Sequence, residues 1–208
     1  RYLETRKSTS KEEVALELVE DESYIYYNKG AINLYALQDY ITEDSVNSAL
    51  CKFLSDWNSV NKQYKKDRFP TTEDLLGYFE AVTPDSLQYV LTDLFRKVIV
   101  YDNQLVTADY HESTDGFQVE VEVESTKYQR SSFESDSLIS ADDWIDIGIY
   151  TLDEKSEEKL SYLQKHKISG QQNTFKINTA LKPVRVGIDP LHKLIDLNMD
   201  NNTVDISN

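Results

Sequence analysis

The 208-residue sequence predicts an α+β fold: an N-terminal helical bundle segment followed by an antiparallel β-sandwich. The apolar period carries this reading. Hydrophobic residues recur at spacings of three and four up to about residue 100, and at spacings of two beyond it. The stretch 117–124 alternates without a break: Phe117, Val119, Val121 and Val123 stand against Gln118, Glu120, Glu122 and Glu124. That is a strand with one dry face and one acidic wet face. The 14 Tyr, 7 Phe and 2 Trp argue for a packed chain over a disordered one.

The helical half is read in order. Val14, Ala15, Leu18 and Val19 give a stripe for a short helix or loop. A helix over 28–41 is predicted from Ile32, Leu34 or Tyr35, and Leu37 on one face. Thr42 then caps a helix whose first turn carries Glu43 and Asp44, where carboxylates suit the helix dipole. Its apolar residues are Val46, Leu50, Phe53, Leu54 and Trp57. Residues 58–68 are polar and lysine-rich, as in a loop. Thr71 starts a third helix with Leu75, Leu76, Phe79 and Val82 inside. Thr83-Pro84-Asp85-Ser86 reads as another cap, with Pro84 at the first helical position. Leu87, Leu91, Leu94, Phe95 and Val98 follow. Four helices with short connections imply a bundle segment.

In the second half, Asp102-Asn103 reads as a turn, and 105–110 and 117–124 as strands. The serines between 126 and 141 suggest a loop or loose edge. Residues 144–151 form a strand with Ile145, Ile147 and Ile149 inward. A hairpin over 160–168 and 173–178 turns at Ser169-Gly170-Gln171-Gln172. Val184, Val186 and Ile188 make a last strand. Six or seven such strands imply a sandwich of immunoglobulin-like size. The predicted domains are therefore 1–100 helical, 103–190 sandwich and 191–208 a fraying tail.

Acids outnumber bases 37 to 22, giving a formal charge of −15, which disfavours nucleic-acid partners. No apolar run reaches the roughly 18–20 residues that span a bilayer, so a soluble chain without membrane contact is expected. A single cysteine, Cys51, rules out an intramolecular disulfide, and its helical setting predicts a buried, inert thiol. His111, His166 and His192 lie too far apart for a helical two-histidine metal motif, so no metal site is predicted in this chain. No Gly-x-Ser-x-Gly elbow and no glycine-rich phosphate loop occurs. Asp196-Leu-Asn198-Met-Asp200 opens like a calcium loop but lacks the turn glycine, which Asn201 replaces, and the final glutamate, which Ser207 replaces.

What remains is Tyr24-Ile25-Tyr26-Tyr27-Asn28-Lys29-Gly30, an aromatic cluster entering a helix. Tyr27-Asn28-Lys29-Gly30-Ala31, with Ile32, Leu34, Tyr35 and Leu37 behind it, resembles the Tyr-Glu-Lys-Gly helix of the gluzincin zinc aminopeptidases, the family of aminopeptidase N and leukotriene-A hydrolase. The likeness runs on through 36–50, Phe69-Pro70-Thr71-Thr72-Glu73-Asp74, Thr83-Pro84-Asp85-Ser86 and Asp93-Leu94-Phe95. Asp142-Asp143-Trp144-Ile145-Asp146-Ile147-Gly148 and Val186-Gly187-Ile188-Asp189-Pro190 resemble a bacterial subgroup, in some members of which the peptidase follows a transporter permease.

The resemblance implies that 1–100 are the C-terminal helices of a thermolysin-like catalytic domain. In such enzymes zinc activates a water, a glutamate takes its proton, and the hydroxide attacks the first peptide carbonyl. Tyr27 matches the tyrosine whose hydroxyl helps to stabilise the oxyanion, and Lys29 and Gly30 would serve packing and placement. Asn28 departs from the family's glutamate. With no His-Glu-x-x-His present, zinc, its ligands and the groups that hold a substrate amino terminus are expected in an upstream part of the parent chain, with which this segment would associate. The chain, which begins at Arg1, is then expected to be a C-terminal fragment, inactive alone, of a peptidase tethered to a bacterial membrane in some relatives. The alternative is a non-catalytic interaction module.

Overall fold

A computed structural model describes residues 1–9, 11–58, 67–132 and 135–206. Contacts divide the chain into two units, Arg1–Ile99 with Arg130–Ser135, and Val100–Gln129 with Asp136–Asn208. The fold is α+β, with helices in the first unit and antiparallel sheets in the second. No helix among the described residues is long and apolar enough to cross a membrane.

The first unit begins with α1 (Tyr2–Ser8), a helix without a strong sequence signal, and a single 3-10 turn at Leu16–Leu18. A π-helical turn, Tyr24–Lys29, runs straight into α2 (Gly30–Ile41). Helix α3 (Glu43–Asp56) is capped as expected, the Thr42 hydroxyl accepting from the Ser45 N–H. Helix α4 (Thr72–Glu80) opens with a reciprocal capping box between Thr71 and Asp74. A 3-10 turn (Asp85–Leu87), α5 (Gln88–Leu91) and a second π-helical turn (Thr92–Arg96) complete the unit. The predicted second cap fails: Thr83 donates back to the Phe79 carbonyl at 2.7 Å, and Pro84 precedes the turn instead of opening it.

Leu37, Ile41, Val46, Ala49, Leu76, Phe79, Val90, Leu91 and Phe95 form the core of this unit. Each fully buried Leu, Val or Phe contributes about 1.5–3 kcal/mol, more than an exposed ion pair. The core therefore fixes the helix phases, and it corrects two of them. Helix α2 buries Asn33, Ala36, Leu37 and Ile41 and leaves Leu34 and Tyr35 exposed. Helix α3 buries Val46 and Ala49 and exposes Leu54. Cys51 is also exposed, because the same phase turns it outward. Most of the predicted 58–68 loop lies outside the described residues.

The second unit has two four-stranded sheets. In one, β2 (Gly116–Ser132) pairs with β1 (Ile99–Ser113), β3 (Ser135–Ile139) and β6 (Gln172–Thr179). In the other the order is β5 (Glu158–Ser169), β4 (Asp142–Leu152), β7 (Pro183–Ile188) and β8 (Thr203–Asp205). Val119, Val121 and Val123 are buried, as are Ile145, Ile147 and Ile149, so both alternations were correctly read. The acids of β2 find partners on neighbouring strands, Glu120 with Lys176 at 3.5 Å and Glu122 with Thr107 at 3.0 Å.

Four expectations change here. Residues 160–168 and 173–178 are not a paired hairpin, because β5 and β6 belong to different sheets and Gly170 and Gln171 carry the chain between them. Asp102 and Asn103 lie within β1, where the Asn103 N–H donates to the Asp196 carboxylate at 3.1 Å. Strands β2 and β3 occupy much of the serine-rich stretch that reads as a loop. The tail does not fray up to Ile206: Asp196 and Asn202 are buried, and β8 pairs with β7. In each case a long-range hydrogen-bond partner overrides the local polar composition.

Gly148 and Gly187 face each other across β4 and β7. A Cβ on Gly148 would meet Pro190 at 2.7 Å and Leu160 at 2.9 Å, and one on Gly187 would meet Thr203 at 2.9 Å. The two glycines leave the slot into which Pro190 packs, a physical use for the Ile147-Gly148 and Val186-Gly187-Ile188-Asp189-Pro190 signatures.

Candidate functional site

The π-helical turn Tyr24–Lys29 has an inner and an outer face. Ile25 and Lys29, four residues apart, are buried. Tyr26 and Tyr27 point out, Tyr27 with 70% of its surface exposed and its ring 4.7 Å from that of Tyr26. Single π turns inserted in a helix are frequent at functional sites, because the wider turn redirects side chains. Tyr27 lines a cleft of about 610 Å³ whose walls include Leu16, Val19, Leu34, Leu75 and Phe79, with Glu20 among its few polar residues. That volume and lining suit an apolar side chain or small ligand. Gly30 also lines the cleft, and a Cβ there would make only ordinary contacts at 3.8 Å with Ile25 and Leu16.

Behind the turn, the Lys29 ammonium is 2.9 Å from the Glu13 carboxylate, and both are sealed from solvent. Glu13 also accepts from the Tyr2 hydroxyl and, at 2.7 Å, from Arg6 Nε, while an Arg130 nitrogen lies 3.9 Å away. Burial pushes the Glu13 carboxyl up. The Lys29 charge and the hydrogen bonds from Tyr2, Lys29 and Arg6 outweigh burial and hold it below the usual carboxylate range. Burial lowers the Lys29 pKa, and Glu13 offsets part of the shift. The Tyr2 phenol is pushed up by burial and then by the Glu13 charge.

No protein-family model matches the chain, and no curated protein matches it in sequence.

The other candidates are dispersed. His111 lies on β1, His166 on β5 and His192 in a turn with φ +51. His166 shares a hydrogen bond with the Tyr162 hydroxyl at 2.8 Å and packs on Phe175, and burial lowers its pKa. Asp196 is engaged by backbone N–H groups of Asn103 and Asn198 and by the Asn202 amide. Among the described residues no group of three or more His, Cys, Asp or Glu side chains is gathered as a metal would need.

Sequence reasoning singled out Tyr27, which the structure places at the cleft, and gave no sign of Glu13, Tyr2 or Arg6. Glu13 beside Val14 and Ala15 is an acid in an apolar stripe, but nothing local names a partner 16 residues away.

Proposed function

We propose that this chain is the C-terminal part of a gluzincin-type zinc aminopeptidase, in which Tyr27 donates a hydrogen bond to the oxyanion that forms at a peptide carbonyl. The helices of the first unit are then the bundle segment that ends a thermolysin-like domain. The two sheets of the second are an immunoglobulin-like sandwich that follows it in the sequence. The single observation that carries the reading is the exposure of the Tyr27 phenol at an open cleft, on a turn anchored from behind. A phenol there donates one hydrogen bond from a rigid ring, and its aim costs no reorganisation during reaction. The apolar wall beside it takes a substrate side chain. The metal and its ligands belong to an upstream part of the polypeptide, which together with a peptide substrate is the partner of this face. In some members of the bacterial subgroup the parent is tethered to a membrane.

Tyr27→Phe in the full-length polypeptide tests the reading. The ring and its packing are kept and one donor is lost, so turnover should fall about 100- to 1,000-fold, with folding unchanged. Unchanged turnover removes Tyr27 from the reaction. A second reading, a non-catalytic interaction module, is favoured by Tyr26 and Leu34 at the cleft, and by the exposed Tyr35 and Phe69, the latter 90% exposed. Its mark is a parent that binds a protein partner through this face and has no peptidase activity at all.

A further inference from the structure

Lys29 is one of the largest side chains in the chain to be fully buried, and an apolar residue would fill its place without electrostatic cost. What accommodates the ammonium is Glu13 at 2.9 Å. Glu13 is in turn fixed from other sides by Tyr2 and Arg6 of α1, and by the nearby Arg130 guanidinium. The Lys29 head is therefore held at one point in space. Lys29 and Tyr27 are two residues apart, and residues so spaced lie on opposite faces of a helical turn. Where the Lys29 head is held sets the rotation of the turn, and that rotation sets the direction of the Tyr27 phenol. A π turn needs such a constraint more than an α-helix does, because its hydrogen-bond geometry is rarer and less self-sustaining.

We infer that Glu13, acting through Lys29, is the positioning residue that aims Tyr27 into the cleft. The functional value of that aim rests on the reading of Tyr27 proposed above, whereas the mechanical coupling stands independently of it. Burial already disfavours the charged Lys29, so the cation depends on Glu13 for its place. Loss of the Glu13 charge frees the lysine to leave the interior, and the turn rotates with it.

The test is 19F NMR of the 208-residue chain with 3-fluorotyrosine at position 27, alongside thermal melting. The native chain should give one sharp line. Glu13→Gln and Lys29→Met should each shift or split it, and the double variant should add nothing further, because both act through one pair. Val46→Ala, which loosens the helical core without touching the pair, should lower the melting temperature and leave the line in place. A Glu13→Gln protein that melts lower with an unmoved line would show Glu13 to be a folding anchor only and overturn the inference. Should the neutral variant fail to fold, Glu13→Asp keeps the charge and withdraws it by one methylene. It too must move the line, and an unmoved line overturns the inference. A moved line together with undiminished turnover in Tyr27→Phe would sink the catalytic reading while the coupling stands.

Discussion

Asp189 shows how far a single residue's environment can depart from its local sequence. It adopts φ +43, in the left-handed region, and its carboxylate accepts from the N–H groups of Lys193 at 3.0 Å and Leu194 at 2.9 Å. Burial pushes the carboxyl up to about 7, against the pull of those two N–H groups and helped by the charges of Asp146 and Asp196. Between the unfolded value near 4 and about 7, the folded chain keeps a proton that the unfolded chain has lost. The stability this provides is complete below about 4 and is lost as pH rises through about 7, on the order of 4 kcal/mol in full. Asn tolerates the left-handed backbone, so Asp189→Asn should fold and should flatten the decline in melting temperature from pH 4 to pH 7. An unaltered profile would mean that Asp189 does not titrate there. Glu13 has the opposite sign. Its depressed value adds stability above the usual carboxylate range, and that stability is lost as pH falls through the folded value. The two effects occupy separate windows, so Glu13 does not contribute to the change that the variant makes between pH 4 and pH 7.

Among the elements, the β4–β7 pair is the most constrained by shape. Pro190 packs against Gly148 and Gly187 with no room for a Cβ on Gly148, and the nearest atoms are a proline ring and the half-buried Leu160. Gly148→Ala must displace one of them, an overpacking cost of about 1–3 kcal/mol. Urea titration should show the loss as a lower midpoint at unchanged slope. An undiminished midpoint would mean that the proline moves freely and the slot is not rigid. Two helix starts were legible in advance, whereas the cap predicted at Thr83-Pro84 did not form. Thr42 and Thr71 carry the sequence signature and make the bonds, because a cap is settled within four residues. The phases of α2 and α3 were not legible, since apolar residues such as Leu34, Tyr35 and Leu54 lie on faces that the core does not use. On α2 one of those faces is the cleft wall. A helix that serves both a core and a cleft has no single apolar stripe, and periodicity then offers more than one phase.

For the whole molecule, the dominant long-range quantity is the formal charge of −15. Self-repulsion opposes compaction, and at 0.1 M salt it is screened beyond about 10 Å. Raising sodium chloride from about 10 mM to about 0.5 M should therefore raise the melting temperature. The buried Lys29–Glu13 and Lys127–Asp143 pairs are shielded from salt and should not offset the gain. A fall on adding salt would place the surface pairs, such as Arg96 with Glu73 and Glu80, above repulsion in importance.

The period of the apolar residues and the chemistry of the caps were enough to predict helices before strands and the dry faces of β2 and β4. These are local properties, fixed by backbone stereochemistry over a few residues. Only the folded chain decided that β5 and β6 part to different sheets, that the segment after Ile188 is held in place, and which cation answers which buried acid. Those bonds join residues 16, 47 and 93 apart, as in Lys29 to Glu13, Lys193 to Asp146 and Asn103 to Asp196. The entropy of closing such loops rises only with the logarithm of their length, so separation along the chain says little about which pairing wins. The choice falls to burial and hydrogen-bond satisfaction, which exist only once the chain is folded.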